Sequence, residues 1–159
     1  MEGLVPEDQS VASNETVEIA DLTFYHGKRA TFKDADKVRI TQFKYSISKK
    51  SMEFRTADAR KTVEKFGIAY RSLKRKQGAA LVRANIYFEL HTNRPVYGPL
   101  AEAITALAAK KAITGDAQTQ ADQFKSACGL SGNELATFAA KCQIQSLNDT
   151  LRETKAELS

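Results

Sequence analysis

The sequence predicts a mainly α protein: a helical core of four to five helices, a small N-terminal β-hairpin or extended region, and a mobile N-terminal arm. Three observations carry this. From residue 56 onward, apolar residues recur at steps of three and four, the spacing of one helix face. Before that point they alternate with the two-residue period of a strand. The first 15 residues do neither. The expected organisation is therefore a flexible acidic arm at 1–15 and a single domain at 16–159, extended over 16–55 and helical over 56–159.

The arm is polar and acidic, with Pro6 and little periodicity. Val17 and Ile19 then alternate, and Leu22 and Phe24 continue after a one-residue slip. Val38 and Ile40 alternate in turn, with Phe43, Tyr45 and Ile47 following a similar slip. Each slip predicts a β-bulge. His26-Gly27-Lys28 supplies a turn between the two runs.

Thr56 is a cap for the first helix and Asp58 suits its first turn. Ala59, Val63, Phe66, Tyr70 and Leu73 share one face, interrupted by Gly67, and Gly78 ends or bends the helix. Residues 79–90 are apolar nearly all round and read as a buried helix, although Ile86-Tyr87-Phe88 favours a strand. His91 to Pro95 is a loop. Gly98-Pro99 opens a helix faced by Leu100, Ala103, Ile104, Leu107 and Ala108, which Thr114-Gly115 stops. Asp116 caps a further helix carrying Ala117, Ala121, Phe124 and Cys128, ended by Gly129. Ser131 to Glu134 matches a capping box before a last helix with Leu135, Phe138, Cys142 and later Leu147 and Leu151.

With 159 residues, 42% of them hydrophobic, the chain can bury a core and is not a disordered or collagen-like polymer. It has no run of roughly 18 to 20 apolar residues, so no membrane partner is expected. An acidic start without an apolar run behind it argues against a secretory signal. Two cysteines, Cys128 and Cys142, make no disulfide framework, which points to reduced thiols and an intracellular protein.

The formal net charge of +5 conceals a steep gradient. Residues 1–27 carry six acids and no Lys or Arg. Residues 28–83 hold 17 Lys and Arg against five acids, a net +12, and the remainder is nearly neutral. Such a block attracts polyanions. The ordinary account is a solvated lysine-rich surface, but the clustering is dense and its flanks are not basic. The acidic arm either solubilises the chain or lies on the basic region when nucleic acid is absent.

Candidates for chemistry are few. The two histidines, His26 and His91, are far apart, and the two cysteines sit at apolar helical positions, so zinc spacing is unmet. A Cys–His nucleophile pair is a poor bet, and no phosphate-loop, dinucleotide or nucleophile-elbow motif occurs. Hence no enzyme, metal or cofactor is expected. The binding candidates are Arg60, Lys61, Lys65, Arg71, Lys74, Arg75, Lys76, Arg83 and Arg94. The run Lys74-Arg75-Lys76 also complements a helix C-terminus, which alone could account for it. Tyr70 and Tyr87 are possible stacking surfaces, though core packing is the commoner role. No sequence-reading motif accompanies these residues, so binding without strong sequence preference is expected.

Residues Arg83 to Pro95 read Arg-Ala-Asn-Ile-Tyr-Phe-Glu-Leu-His-Thr-Asn-Arg-Pro. This resembles, with a one-residue gap, the RYAFDFYE segment and TSRTP-like turn in coat proteins of flexible filamentous plant RNA viruses, most nearly the potyvirus-like ones. An alanine-rich helix follows in both, here Leu100 to Lys111, and Gly129-Leu-Ser-Gly-Asn133 is similar to their GLDGN-type turn. The similarity covers about residues 60–135 in order of elements and is specific at those two short places. It implies a coat or nucleocapsid subunit that threads single-stranded RNA through a basic groove and polymerises into a helical filament, found in the virion or host cytoplasm. The family's aspartate in F-D-F pairs with an upstream arginine. Here Tyr87 holds that place, Glu89 is the nearest acid, and Arg71 or Arg83 would be its partner. A second expectation, of a different class, is a protein–protein adaptor or regulatory protein using its basic face.

Overall fold

The computed structural model describes residues 16–27 and 35–147, so the expected arm at 1–15 and Leu151 lie outside the described residues. Two strands open the fold, β1 (Thr16–His26) and β2 (Lys37–Ser46), paired antiparallel. The hairpin and mainly helical remainder match the predicted class. Ile19 lies opposite Phe43 but Leu22 lies opposite Thr41, so three steps on β1 span two on β2. That is a bulge where the first slip placed one.

The second slip is not a bulge. β2 runs in unbroken parallel register with β3 (Ile86–Thr92), from Val38 opposite Ile86 to Lys44 opposite Thr92. Its apolar residues instead change face. Val38 and Ile40 point to the buried side; Phe43 and Tyr45 lie on the other.

A parallel pair needs a crossover, and helices supply it. α1 (Thr56–Gln77) and α2 (Ala79–Asn85) lead from β2 to β3, with Gly78 between them at φ +90°. The buried helix expected over 79–90 is thus corrected. Only Val82 of α2 is buried. From Ile86 the chain alternates: Ile86, Phe88, Leu90 and Thr92 are fully buried on one face, while Tyr87 and His91 are half-exposed on the other. A short helix followed by a β-branched and aromatic strand looks apolar all round when read as one element.

α3 (Gly98–Ala109), α4 (Gly115–Cys128) and α5 (Gly132–Lys141) form the second crossover, to β4 (Cys142–Ser146). β4 pairs parallel with β3 and completes a sheet ordered β1-β2-β3-β4. The last helix therefore ends at Lys141 instead of running on through Cys142 to Leu147. In Cys142-Gln143-Ile144-Gln145 apolar and polar residues alternate, and Cys142 and Ile144 pack against the core.

The helices meet the buried sheet face through an aromatic cluster. Phe66 and Phe138 each lie about one ring width from Phe88, at 5.2 and 5.5 Å between centroids. Phe124 and Tyr70 close on Phe138 from α4 and α1. α1 packs on α4, and α3 on α4 and α5. The helix caps differ in detail from expectation. Arg55 is the N-cap of α1, and its amide donates to the Asp58 carboxylate at 2.9 Å. Thr56 sits inside the helix with its hydroxyl and amide spent on Gln120 Oε1. Ser131 does cap α5, but its side chain makes no capping bond, and Glu134 turns instead to Lys74 at 3.4 Å.

Candidate nucleic-acid interface

α1 buries Ala59, Thr62, Val63, Phe66, Tyr70 and Leu73. At 100° per residue this face leaves Lys61, Lys65, Ile68, Ser72, Arg75 and Lys76 on the opposite side. The burial agrees: Lys61, Ile68, Arg75 and Lys76 are exposed and Lys65 and Ser72 half-exposed. Four cations thus form one stripe. Fifteen residues separate Lys61 from Lys76, so the stripe runs about 22 Å at 1.5 Å per residue. Lys61, Arg75 and Lys76 form no ion pair with any described residue. The two acids of the helix, Asp58 and Glu64, are taken by Arg94 and Arg60 at 3.2 and 3.1 Å.

The remaining sequence candidates are placed elsewhere. Arg71 donates from Nη1 to the Cys128 carbonyl at 3.0 Å, tying α1 to the end of α4. Lys74 bridges to α5 through Glu134. Arg83 is exposed on α2, beyond the Gly78 break. Arg94 is buried, at 7% exposure. Its guanidinium donates to the Met52 and Glu53 carbonyls at 2.9 and 2.7 Å and pairs with Asp58 at 3.2 Å. Its donors are spent inside the fold, holding the 52–58 turn against the loop after β3. The nine sequence candidates therefore divide among a solvent-facing ridge, surface ion pairs at Arg60 and Lys74, the exposed Arg83 on α2, and internal ties at Arg71 and Arg94, and do not line one furrow.

Tyr70 is core, and burial raises its phenol pKa. Tyr87 is half-exposed, with the ammonium groups of Lys37 and Lys141 at 4.7 and 4.3 Å from its ring centre. No periodicity reveals this grouping, because it is made by strand register and by the end of α5. Glu89 is also resolved by register. Its partner is Arg39 at 3.1 Å, not Arg71 or Arg83. Thr41 lies opposite Glu89, so Arg39 is the diagonal neighbour on that face. Arg39 also donates to His26 Nε2 at 2.9 Å, and His91 Nε2 lies 3.2 Å from Glu89 Oε1. Both histidines of the chain thus sit in one polar string across β1, β2 and β3. Cys142 lies opposite Phe88, on the other face from His91, so these two form no nucleophile pair.

No family model matches this chain, and no curated protein matches it significantly. Among the described residues no cluster of three or more His, Cys, Asp or Glu could hold a metal. No helix among them is long and apolar enough to cross a membrane. What the outward face of α1 offers is positive charge along a 22-residue helix.

Proposed function

We propose that this protein is a non-enzymatic RNA-packaging subunit, a coat or nucleocapsid protein. It binds single-stranded RNA with little sequence preference and polymerises along it as a helical filament, in a virion and in the host cytoplasm. The observation that carries the reading is the stripe Lys61, Lys65, Arg75 and Lys76 on the outward face of α1. Its length of about 22 Å offers cations to several successive phosphates, without the base-reading groups that would impose sequence.

The physics of a polymer suits so modest a site. One short ridge neutralises few phosphates, but repeated subunits on one strand act together, and weak contacts become strong through effective concentration. A head-to-tail contact whose rotation does not close generates a filament. The similarity at Arg83–Pro95 and Gly129–Asn133 to coat proteins of filamentous plant viruses supports the same reading. Ile68, 60% exposed in the middle of the stripe, favours one alternative: an adaptor whose basic face receives an acidic partner with an apolar anchor. Negative-stain microscopy of the protein mixed with single-stranded RNA tests the choice. Regular filaments support packaging, and discrete particles with or without RNA overturn it.

A further inference from the structure

Where β2, β3 and β4 begin, three side chains converge on the sheet face opposite the aromatic cluster. Tyr87 stands there half-exposed, one residue before the buried Phe88. β3 lies between β2 and β4 in the sheet. Arg39 of β2 is opposite Tyr87, which puts Lys37 diagonally beside it on the same face. On the other flank Cys142 is opposite Phe88, which puts Lys141 beside Tyr87. The two ammonium groups thus reach one ring from opposite sides, 4.7 and 4.3 Å from its centre. Among the described residues neither lysine forms an ion pair. Glu89, the next residue on that face, is taken by Arg39 at 3.1 Å and His91 at 3.2 Å. The Asp36 carboxylate lies against Gly27, 3.0 Å from where a Cβ would stand. His26, opposite Lys37 in the register, accepts from Arg39 Nε and brings no negative charge. Two like charges are therefore held at one ring with no acid between them.

We propose that Lys37, Tyr87 and Lys141 form a clamp for the phosphate backbone of single-stranded RNA, separate from the outward face of α1. The choice of ligand rests on the packaging reading. Each ammonium group has three donors, and phosphate oxygens accept charge-assisted hydrogen bonds from both. The ring attracts both cations and so gathers them before the ligand arrives, which lowers the entropy lost on binding. Placement favours a strand of RNA. α1 and α2 carry the chain back from the end of β2 to the start of β3. Arg75 and Lys76 in the last turn of α1, and the exposed Arg83 of α2, therefore lie toward the same end of the sheet as the clamp. A strand leaving the α1 stripe at Lys76 passes Arg83 and reaches Lys37 and Lys141.

Binding of the full chain to a labelled uridine oligonucleotide, titrated at several salt concentrations, tests the clamp. Lys37→Gln/Lys141→Gln should make the logarithmic salt slope shallower by about 1.4, for two contacts at roughly 0.7 each on a single strand. Lys37→Arg/Lys141→Arg keeps the charge and the ring contact and should hold the native slope. Lys50→Gln/Lys111→Gln removes the same net charge from exposed lysines elsewhere and should also leave the slope unchanged. All three variants should keep the native far-ultraviolet circular dichroism. A native slope for Lys37→Gln/Lys141→Gln, or an equal loss in the Lys50→Gln/Lys111→Gln control, overturns the clamp and leaves the packaging reading standing. Absence of RNA binding by the native chain overturns the packaging reading. Amide NMR shifts with inorganic phosphate then decide the clamp by themselves: saturation at Lys37, Tyr87 and Lys141 keeps it as an anion site, and shifts that do not saturate overturn it as well.

Discussion

Gly67 and Cys128 meet where α1 crosses α4, so closely that a Cβ at Gly67 would stand 2.5 Å from the Cys128 carbonyl oxygen. One turn later, Arg71 donates to the same oxygen at 3.0 Å. The glycine that interrupts the apolar pattern of α1 is therefore the contact that lets the helices approach. The carbonyl left unpaired at the end of α4 is satisfied from the neighbouring helix.

Gly67→Ala should destabilise the protein, although alanine is favoured over glycine in a helix by about 1 kcal/mol. The added methyl has backbone in front of it, which cannot rotate away. Overpacking of this kind costs about 1–3 kcal/mol. Urea denaturation monitored by circular dichroism checks the sign: a lower midpoint is expected, and a raised one would show that the helices separate freely.

Arg94→Ala should cost about 3 kcal/mol, the range for removing one partner of a buried ion pair. It deprives the Met52 and Glu53 carbonyls of their donor and leaves Asp58 without its cation. Its effect on RNA affinity, measured on the folded fraction, should be small, because Arg94 faces inward. A variant that keeps its stability and loses RNA would return Arg94 to the interface.

Alkaline pH should unfold the protein earlier than its lysines alone would dictate. Removal from water pushes the Cys142 thiol well above its ordinary value of 9.0, and burial raises Cys128 and Tyr70 as well. A folded-state pKa above the unfolded one contributes stability that is fully present below the unfolded value. That contribution is lost as pH rises through the folded value. Stability should therefore be flat from pH 7 to about 8.5 and fall beyond it. Cys142→Ala should lessen the fall, and an unchanged slope would show that the thiol does not contribute.

Much of the fold was legible in the sequence because local rules coincide with the tertiary answer. The face of α1, Pro99 at the start of α3, Gly129 at the end of α4 and the bulge between Ile19 and Leu22 all follow from spacing and backbone chemistry. The errors fall where neighbours decide. Residues 79–90 divide at Ile86 because a parallel partner, Val38, waits there. Cys142 leaves the helix because β3 offers an edge. For the candidate site, the charge block pointed to the α1 region but not to which of its cations face water. Arg71 and Arg94 differ from Lys61 and Arg75 only in what packs against them, and linear charge density carries no such information.

Filament formation should depend on RNA and on the ridge. With Lys61→Glu/Arg75→Glu/Lys76→Glu, particles viewed by negative stain should remain small when RNA is added, while the far-ultraviolet circular dichroism is unchanged. Lys65 is left intact in this variant. Filaments of normal length would place the polymer contact and the RNA elsewhere.

On the packaging reading, the outward face of α1 neutralises RNA phosphates. Fluorescence anisotropy of labelled poly(U) and of a mixed-sequence RNA, titrated at several salt concentrations, measures this directly. Similar affinity for both RNAs is expected. The logarithmic salt slope should become shallower by about 2 when Lys61, Arg75 and Lys76 are reversed, at roughly 0.7 per phosphate contact on single strands. Equal affinity and equal slope for the native and reversed proteins would contradict it.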